Sequence, residues 1–312
     1  MKLIFCGTPQ FAVPTLERLI KEGLPIELVI TNPDEPSGRG YQLKTSPVKE
    51  LAERNALRTY QPAKLKNPEV KAFISQYQPA AIVVVAYGHI IPRWMIDLPR
   101  LGCINLHASL LPKYRGAAPI AWSIVQGERV TGVTSMRIDD GLDTGDILLQ
   151  REEAIRDDDN AATLSNRLSS LAADLMIETL LALDAGAVMP RPQDAALATL
   201  APLLKKEDGK IDWNLTAEQI ERRARGFYPW PGAYTEFRRK HLHLWAVRAV
   251  NKPPPGGSSP GDVLIDESAL LVVCGGATLL NVLELQLESR KRLSAREFIN
   301  GVRLAPGDRL GE

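Results

Sequence analysis

The sequence predicts a doubly wound α/β domain followed by a small β-barrel domain. Three observations carry this expectation. Through roughly the first 185 residues, short β-rich runs alternate with helical periodicities. One of those runs, Ala80 to Ala86 (AAIVVVA), is apolar throughout, as in a strand buried on both faces of a parallel sheet. Further on, after an alanine- and proline-rich stretch, short strand patterns recur between turn-formers within about 70 residues.

The elements follow in order. Residues 2–6 (KLIFC) form a short apolar run that stops at Gly7. Phe11 to Ile20 has helical spacing, with Pro14 tolerable in the first turn and Gly23 suited to a C-terminal cap. Ile26 to Thr31 reads as the second strand, Val70 to Gln76 as a helix, and Ala80 to Ala86 as a buried strand. Cys103 to His107 is a further strand and Ile120 to Gln126 a helix, while Thr163 to Leu183 is a long amphipathic helix that closes the domain. Ala185 to Ala201 has little periodicity and reads as an interdomain linker. Beyond it a helix spans Ala217 to Arg225, with Thr216 and Gln219 at the spacing of a capping box and Gly226 at the stop. Strand patterns then cover Ala233–Phe237, His241–Val247, Val263–Ile265, Leu270–Cys274 and Thr278–Leu285, and a last helix starts after Ser294, with Glu297 three positions on. No internal repeat is visible.

Composition narrows the function classes. With 45% hydrophobic residues, a chain of 312 residues can build a proper core, in one large domain or more often two. No apolar run reaches the roughly 18–20 residues that span a bilayer, and the N-terminus lacks the core and cleavage site of a secretory signal. Cys6, Cys103 and Cys274 are odd in number and far apart, which suggests neither a disulfide framework nor a zinc cluster, so the cytoplasm is the expected compartment. A formal net charge of +1 announces no nucleic acid, and any such partner must be held by local basic patches.

The chemistry concentrates in CINLHASLLPKYRGAAP, Cys103 to Pro119, and in DDGLDTGD, Asp139 to Asp146. Residues two apart on a strand share a face, so Asn105 and His107 project together at the end of a strand, where α/β sheets form their pockets. An asparagine amide can stabilise a developing oxyanion, and a histidine can move a proton near neutral pH. Asp143, in a loop shaped by Gly141 and Gly145, is the carboxylate that would orient the imidazole. Taken singly, each residue is as readily a buried polar group or part of a solvated turn. Together, with SLLP and RGAAP between them, they form a kit for acyl transfer without a covalent enzyme intermediate, because no serine or cysteine is evidently paired with the histidine. DDGLDTGD does not have EF-hand spacing and no His/Cys/Glu cluster completes a transition-metal site, so no metal is expected. Gly7 lacks the other glycines of a dinucleotide fingerprint, which argues against a nicotinamide enzyme.

These blocks carry a resemblance. FCGTPQFA, PSGRGYQLKTSPVK, VVVAYGHIIP, GCINLHASLLPKYRGAAPI, TGVTSM, GLDTGDIL, DGKIDWN, YPWPGAYT and APGDRL make the chain similar to the methionyl-tRNA formyltransferases along nearly its whole length. The wider folate-dependent formyltransferase family shares only the Asn-x-His, SLLP and Leu-Asp blocks. The resemblance implies a Rossmann-like formyltransferase domain over residues 1–189, a linker over 190–206 and an OB-like tRNA-binding domain over 207–312. It implies transfer of a formyl group from 10-formyltetrahydrofolate to the α-amino group of methionine on initiator methionyl-tRNA. Asn105, His107 and Asp143 then become the catalytic trio. Ser109, Leu110, Leu111 and Pro112 would line the tetrahydrofolate site, and Ala86, Tyr87, Gly88, His89 and Ile90 would form its pterin-side wall, mostly through backbone groups. Asn105 would stabilise the oxyanion of the tetrahedral species, where losing one donor typically costs about 3 kcal/mol. His107 would relay the proton from the attacking amine to the departing folate nitrogen.

For the tRNA, the resemblance points to the loop at residues 33–49, with Arg39 at the position of the family's key arginine and Lys44 and Lys49 beside it. A second basic region holds Arg222, Arg223 and Arg225, with Arg238, Arg239 and Lys240 near them. A solvated basic face would read the same. The chain departs from the family between the domains, where Leu200 and Leu203 stand at the tyrosine and lysine positions of a Tyr-Ala-x-Lys pattern. No role is transferred to that lysine position, and Lys205 or Lys206 is the available substitute. Two rivals are a formyltransferase acting on a sugar-nucleotide amine and a non-catalytic RNA-binding protein on the same fold. The GRG loop and IDW argue against the first, the intact trio against the second. Nothing in the sequence demands more than a monomer.

Overall fold

The computed structural model describes residues 1–37, 42–266, 269–302, 304 and 307–311. They form two compact units, one of Met1–Pro119, Val130–Ala154 and Leu164–Pro202, the other of Ile120–Arg129, Ile155–Thr163 and Leu203–Glu312.

The first unit is built on strands β1 (Leu3–Gly7), β2 (Ile26–Ile30), β5 (Thr59–Tyr60), β6 (Ala81–Val85), β7 (Cys103–His107), β8 (Val130–Arg137) and β9 (Ile147–Ala154). Between them run a small hairpin of β3 (Glu35–Ser37) and β4 (Gln42–Lys44) and the helices α1 (Val13–Lys21), α2 (Pro47–Arg54), α3 (Pro68–Ser75) and α4 (Arg93–Ile96). The seven strands lie in the order β5-β2-β1-β6-β7-β8-β9. The first five are parallel, as the uninterrupted apolar runs of β1 and β6 predict, and every residue of those two strands is buried. On one face Ile4, Cys6, Leu28, Ile30, Ile82 and Val84 pack with Val70 and Ile74 of α3 and Met95 of α4. Burying each large aliphatic side chain there contributes roughly 1.5–3 kcal/mol. The helix α1 opens with Pro14 in its first turn, and the chain leaves it through Gly23 at φ 69°.

Strands β1, β2 and β5 build outward in one direction, and β6 and β7 in the other. Their connections therefore diverge between β1 and β6, and a crevice opens beyond the carboxyl ends of these strands. The two antiparallel strands β8 and β9 extend the sheet past β7. Neither is among the strands that the sequence predicts. A Cβ on Gly132 of β8 would lie 2.1 Å from the Arg151 carbonyl oxygen, so only glycine allows the two strands to approach at that point.

Of the loop expected at residues 33–49, the described residues include the paired strands β3 and β4 and the first turn of α2, which Ser46 caps by accepting from the Lys49 N–H at 3.1 Å. Beyond the long helix α6 (Ala161–Asp184), whose residues from Leu164 on belong to this unit, the stretch at 185–201 is tied to β9 and to the segment after β7. Arg191 bridges to Ile147 and Leu200 to Arg115, and the fully buried Ala201 donates to the Arg115 carbonyl at 2.7 Å. Composition gave no sign of these bonds.

The second unit contains α5 (Pro119–Val125) from Ile120 on, α7 (Ala217–Gly226), strands β10 (Ala233–Phe237), β11 (Lys240–Val250), β12 (Val263–Asp266), β13 (Ala269–Cys274), β14 (Thr278–Leu287) and β15 (Leu293–Ser294), and α8 (Ala295–Val302). The capping box of α7 is formed as the spacing predicts: Thr216 accepts from the Gln219 N–H, and Gln219 accepts from the Thr216 N–H. The strands run β10-β11-β14-β13-β12, with β15 on β14, all antiparallel. Among the described residues the ladders run from β10 to β12 in this order, giving the expected all-β C-terminal domain. The inner face of the sheet, with Leu242, Leu244, Val272, Leu280 and Val282, packs with Trp213, Ile220 of α7 and Phe298 of α8.

Candidate active site

Asn105 and His107 occupy alternate positions of β7, in register with Val84 of β6 and with Met136 and Thr134 of β8. His107 is 6% exposed and held from both ends. Its Nε2 stands 2.8 Å from the carbonyl oxygen of Tyr114. A carbonyl only accepts, so Nε2 carries the hydrogen, and proton exchange is left to Nδ1. Nδ1 lies 3.5 Å from Oδ2 of Asp143. That separation is too long for a strong hydrogen bond, yet close enough for the carboxylate to stabilise a proton arriving at Nδ1. The half-buried Asn105 amide makes no side-chain hydrogen bond among the described residues, which leaves it available to a ligand.

The Asp143 loop is fixed from several sides. Its Oδ2 accepts from the Gly116 N–H at 2.9 Å, and its backbone adopts φ 51°. Gly116 has φ 122°, and a Cβ there would sit 2.6 Å from the Ala201 carbonyl oxygen, so the residue that presents this N–H has to be glycine. Gln193 donates from Nε2 to the carbonyl oxygens of Asp143 and Gly145, both at 2.8 Å, and its Oε1 accepts from Nε and Nη2 of Arg115.

The SLLP turn hangs on Thr134. The Thr134 hydroxyl donates to the Ser109 carbonyl at 2.6 Å and accepts from the Leu111 N–H at 3.1 Å and from Gln150 Nε2 at 3.0 Å. Gln150 also donates to the Leu111 carbonyl. Ser109 is fully buried with its hydroxyl donating to the Lys113 carbonyl, and Leu111 is buried with Met136 and Ile147. These two residues therefore shape the turn, while Leu110 and Pro112 are partly exposed on it.

At the end of β6, Ala86, Gly88, His89 and Ile90 are exposed, Ile90 at 83%, whereas the Tyr87 ring is buried. Ala86 has φ 45° and Gly88 φ 84°. Gly88, His89 and Ile90 make no backbone hydrogen bond among the described residues. Their N–H and C=O groups thus suit a heterocycle edge that alternates donors and acceptors.

The expected tRNA-contacting residues are differently placed. Arg39 lies outside the described residues. Lys44 is exposed at the end of β4. Lys49 is 15% exposed and paired with Asp34 at 2.5 Å. Arg222 lies 3.7 Å from Glu218, and Arg223 sits over the Phe227 ring and donates to the Asp208 carbonyl. Arg225 donates to the Asp159 carbonyl at 2.8 Å, and its burial pulls the guanidinium below its ordinary pKa. Most of these charges are thus engaged within the fold. Thr134, Gln150 and Gln193, which act on the site through other residues, are not among the residues expected there. Gly116, inside the quoted RGAAP block, and Thr134, inside the quoted TGVTSM block, carried the local signals.

Among the described residues no group of three His, Cys, Asp or Glu side chains is placed to hold a metal, and no helix is long and apolar enough to cross a membrane. The three cysteines are buried, and burial pushes the thiols of Cys103 and Cys274 up to about 12.

Known proteins share both the fold and the sequence. The formyl transferase family matches residues 1–180, and the formyl transferase C-terminal domain matches residues 203–303. An N-formyltransferase from Helicobacter canadensis, solved with folinic acid and dTDP-3-aminofucose, superposes with a TM-score of 0.68 at 18% identity, covering 90% of this chain and 98% of that one. HypX from Aquifex aeolicus, solved with tetrahydrofolic acid, gives a TM-score of 0.61 at 18% identity over 97% of this chain and 48% of its own. At that identity the likeness is one of fold. A methionyl-tRNA formyltransferase of Koribacter versatilis (strain Ellin345) is 53% identical over 312 residues, all of this chain and 99% of that protein. One of Solibacter usitatus (strain Ellin6076) is 51% identical over the same span. With both domains matched and about half of all residues identical from end to end, the chain belongs to the methionyl-tRNA formyltransferase family.

Proposed function

We propose that this protein transfers a formyl group from 10-formyltetrahydrofolate to the α-amino group of methionine on initiator methionyl-tRNA, giving formylmethionyl-tRNA for translation initiation. The observation that carries the reading is Asn105, with its amide unengaged, two residues before His107 of the His107–Asp143 pair on the same strand, in a chain about half identical to full-length methionyl-tRNA formyltransferases.

The residues present fit the folate. Exposed backbone at Gly88, His89 and Ile90 supplies a hydrogen-bonding edge for its heterocycle, and the Ser109–Pro112 turn, fixed on Thr134, forms the adjoining wall. When bound, 10-formyltetrahydrofolate supplies the formyl group to be transferred. The Asn105 amide donates to the oxygen on which negative charge collects as the amine attacks. His107 accepts the amine proton at Nδ1, and the neighbouring Asp143 stabilises the resulting imidazolium until the proton is handed to the leaving nitrogen. The Tyr114 carbonyl holds the ring still during this exchange. The nucleophile comes from the substrate, so the enzyme contributes position and electrostatics.

The protein works as a monomer in the cytoplasm, in domains bounded near residues 1–189 and 207–312. Light scattering on the purified chain tests the first of these. The activity is tested by mixing the protein with 10-formyltetrahydrofolate and either methionyl initiator tRNA or an amino-sugar nucleotide. Formylation of the charged tRNA alone is expected, and its absence would overturn the reading.

A further inference from the structure

Away from this site, the outer face of β10, β11 and β14 carries a row of rings. Alternation along β11 sends Leu242 and Leu244 into the core and turns His241, His243 and Trp245 outward, half-buried. Tyr234 of β10 lies in register with His243. Its ring stacks on His241 with centroids 4.5 Å apart and planes 24° from parallel. His241 is 4.6 Å from His243, and His243 stacks on Trp245 at 5.5 Å and 22°. The Arg292 guanidinium lies 5.3 Å from the Trp245 ring centre. A cavity of about 490 Å³ opens over this row, with Lys206, Gln286 and Glu288 also on its walls.

The core does not require this row, because Leu242 and Leu244 already fill the inner face of the strand. What the row offers is a set of π faces beside water. Burial lowers the pKa of His243, helped by His241 and Lys206, and its ring, stacked on Trp245 and close to His241, ties the row into one aromatic surface. The surrounding charge suits a phosphodiester. Lys206 makes no ion pair among the described residues, and the turn after β14 adds Arg290, Lys291 and Arg292, the last already paired with Glu284. The exposed Glu288 disfavours a bare polyphosphate but can accept from the amino group of a base. Paired bases in an RNA duplex are stacked on their neighbours, whereas an unpaired base can turn its face outward.

We propose that the Tyr234–His241–His243–Trp245 row is a stacking site for one unpaired base of the RNA substrate, with Lys206 on the adjoining phosphate. The proposal rests on the reading that the substrate is a charged tRNA.

The test uses the full-length protein with a fluorescently labelled single-stranded RNA hexamer and with initiator tRNA, measuring Kd by anisotropy and KM in the formylation assay. His243→Ala is the principal variant, because His243 makes no side-chain hydrogen bond among the described residues. Trp245→Leu is the second, and circular dichroism establishes that each is folded. Losing one stacked base is expected to weaken hexamer and tRNA binding about tenfold and raise the KM for tRNA by the same factor. The KM for the folate should not move, and a fully paired RNA duplex should not compete for the site. Unchanged hexamer and tRNA affinities in folded His243→Ala would overturn the stacking site, even with formylation intact. A wild-type protein that formylates no charged tRNA but binds the hexamer through His243 would overturn the functional reading and leave the base site standing.

Discussion

The side-chain amide of Gln193 donates to the main-chain carbonyl of Asp143 at 2.8 Å across 50 residues of sequence. The same nitrogen reaches Gly145, and Arg115 holds the other end of the amide. Gln193 thereby sets the position of the carboxylate that faces His107 without approaching the reacting atoms itself. We predict that Gln193→Ala lowers kcat about tenfold while leaving both KM values near wild type. Gln193→Glu keeps the acceptor for Arg115 but loses both donors, and should fail to restore the rate. Each lost neutral hydrogen bond costs about 1 kcal/mol, so a small fall in Tm should accompany the effect. Steady-state kinetics on both variants decide the matter, and an unaltered kcat would refute the positioning role.

Asn105 should behave in the opposite way. Its amide is not engaged within the described fold, so Asn105→Ala should leave Tm and tRNA affinity essentially unchanged. Removal of one donor to a developing oxyanion typically lowers kcat by about 10²–10³. Single-turnover formylation at saturating substrates measures the loss. A variant that melts early with its rate preserved would make Asn105 a structural residue.

Thr134→Val tests the hub beneath the SLLP turn. The substitution nearly preserves shape but leaves the Leu111 N–H without its acceptor and the Ser109 carbonyl without its donor. Unsatisfied buried groups cost about 1–3 kcal/mol each. The expected outcome is a lower urea midpoint together with a raised KM for 10-formyltetrahydrofolate, since the turn shapes the proposed folate wall. A change in KM for tRNA alone would contradict this assignment.

Acid should act through Asp34. Hydrogen bonds from Lys49 and Gln61 hold its carboxyl below the ordinary carboxylate range. A depressed folded-state pKa stabilises the protein above the unfolded value near 4, and that contribution disappears as the pH falls through the folded value. Urea midpoints recorded from pH 7 down to pH 3 should therefore fall more steeply for wild type than for Asp34→Asn. Parallel curves would remove Asp34 from the acid response.

Much of the architecture was legible because it follows from local pattern. The runs LIFCG and AIVVV are buried at every position and could only be central parallel strands. Asn105 and His107 were visible as a pair because a strand repeats every two residues. Strands β8 and β9 were harder to see. VTGVTSMR is buried at six successive positions with its threonines and serine inside, so it shows neither alternation nor an unbroken apolar run. Gln193 could not be found by any local rule, since its partners Asp143 and Arg115 lie far back along the chain and its own surroundings lack periodicity. The row on β11 shows the limit differently. Alternation in HLHLW marked a strand, but only the register with Tyr234 reveals that the outward rings form a continuous surface.

The bonds that shape the active site are also long in sequence: 25 residues from Ser109 to Thr134, 50 from Asp143 to Gln193, and 85 from Tyr114 to the Thr199 hydroxyl. A chain growing from its N-terminus would hold all five parallel strands and the whole catalytic trio well before Gln193 and Thr199 are made. Contacts of such separation form late, because loop closure has to precede any gain from them. During synthesis, catalytic competence would therefore arrive as one of the last events in the folding of this unit, when the stretch at 185–201 docks, rather than when the sheet itself is complete.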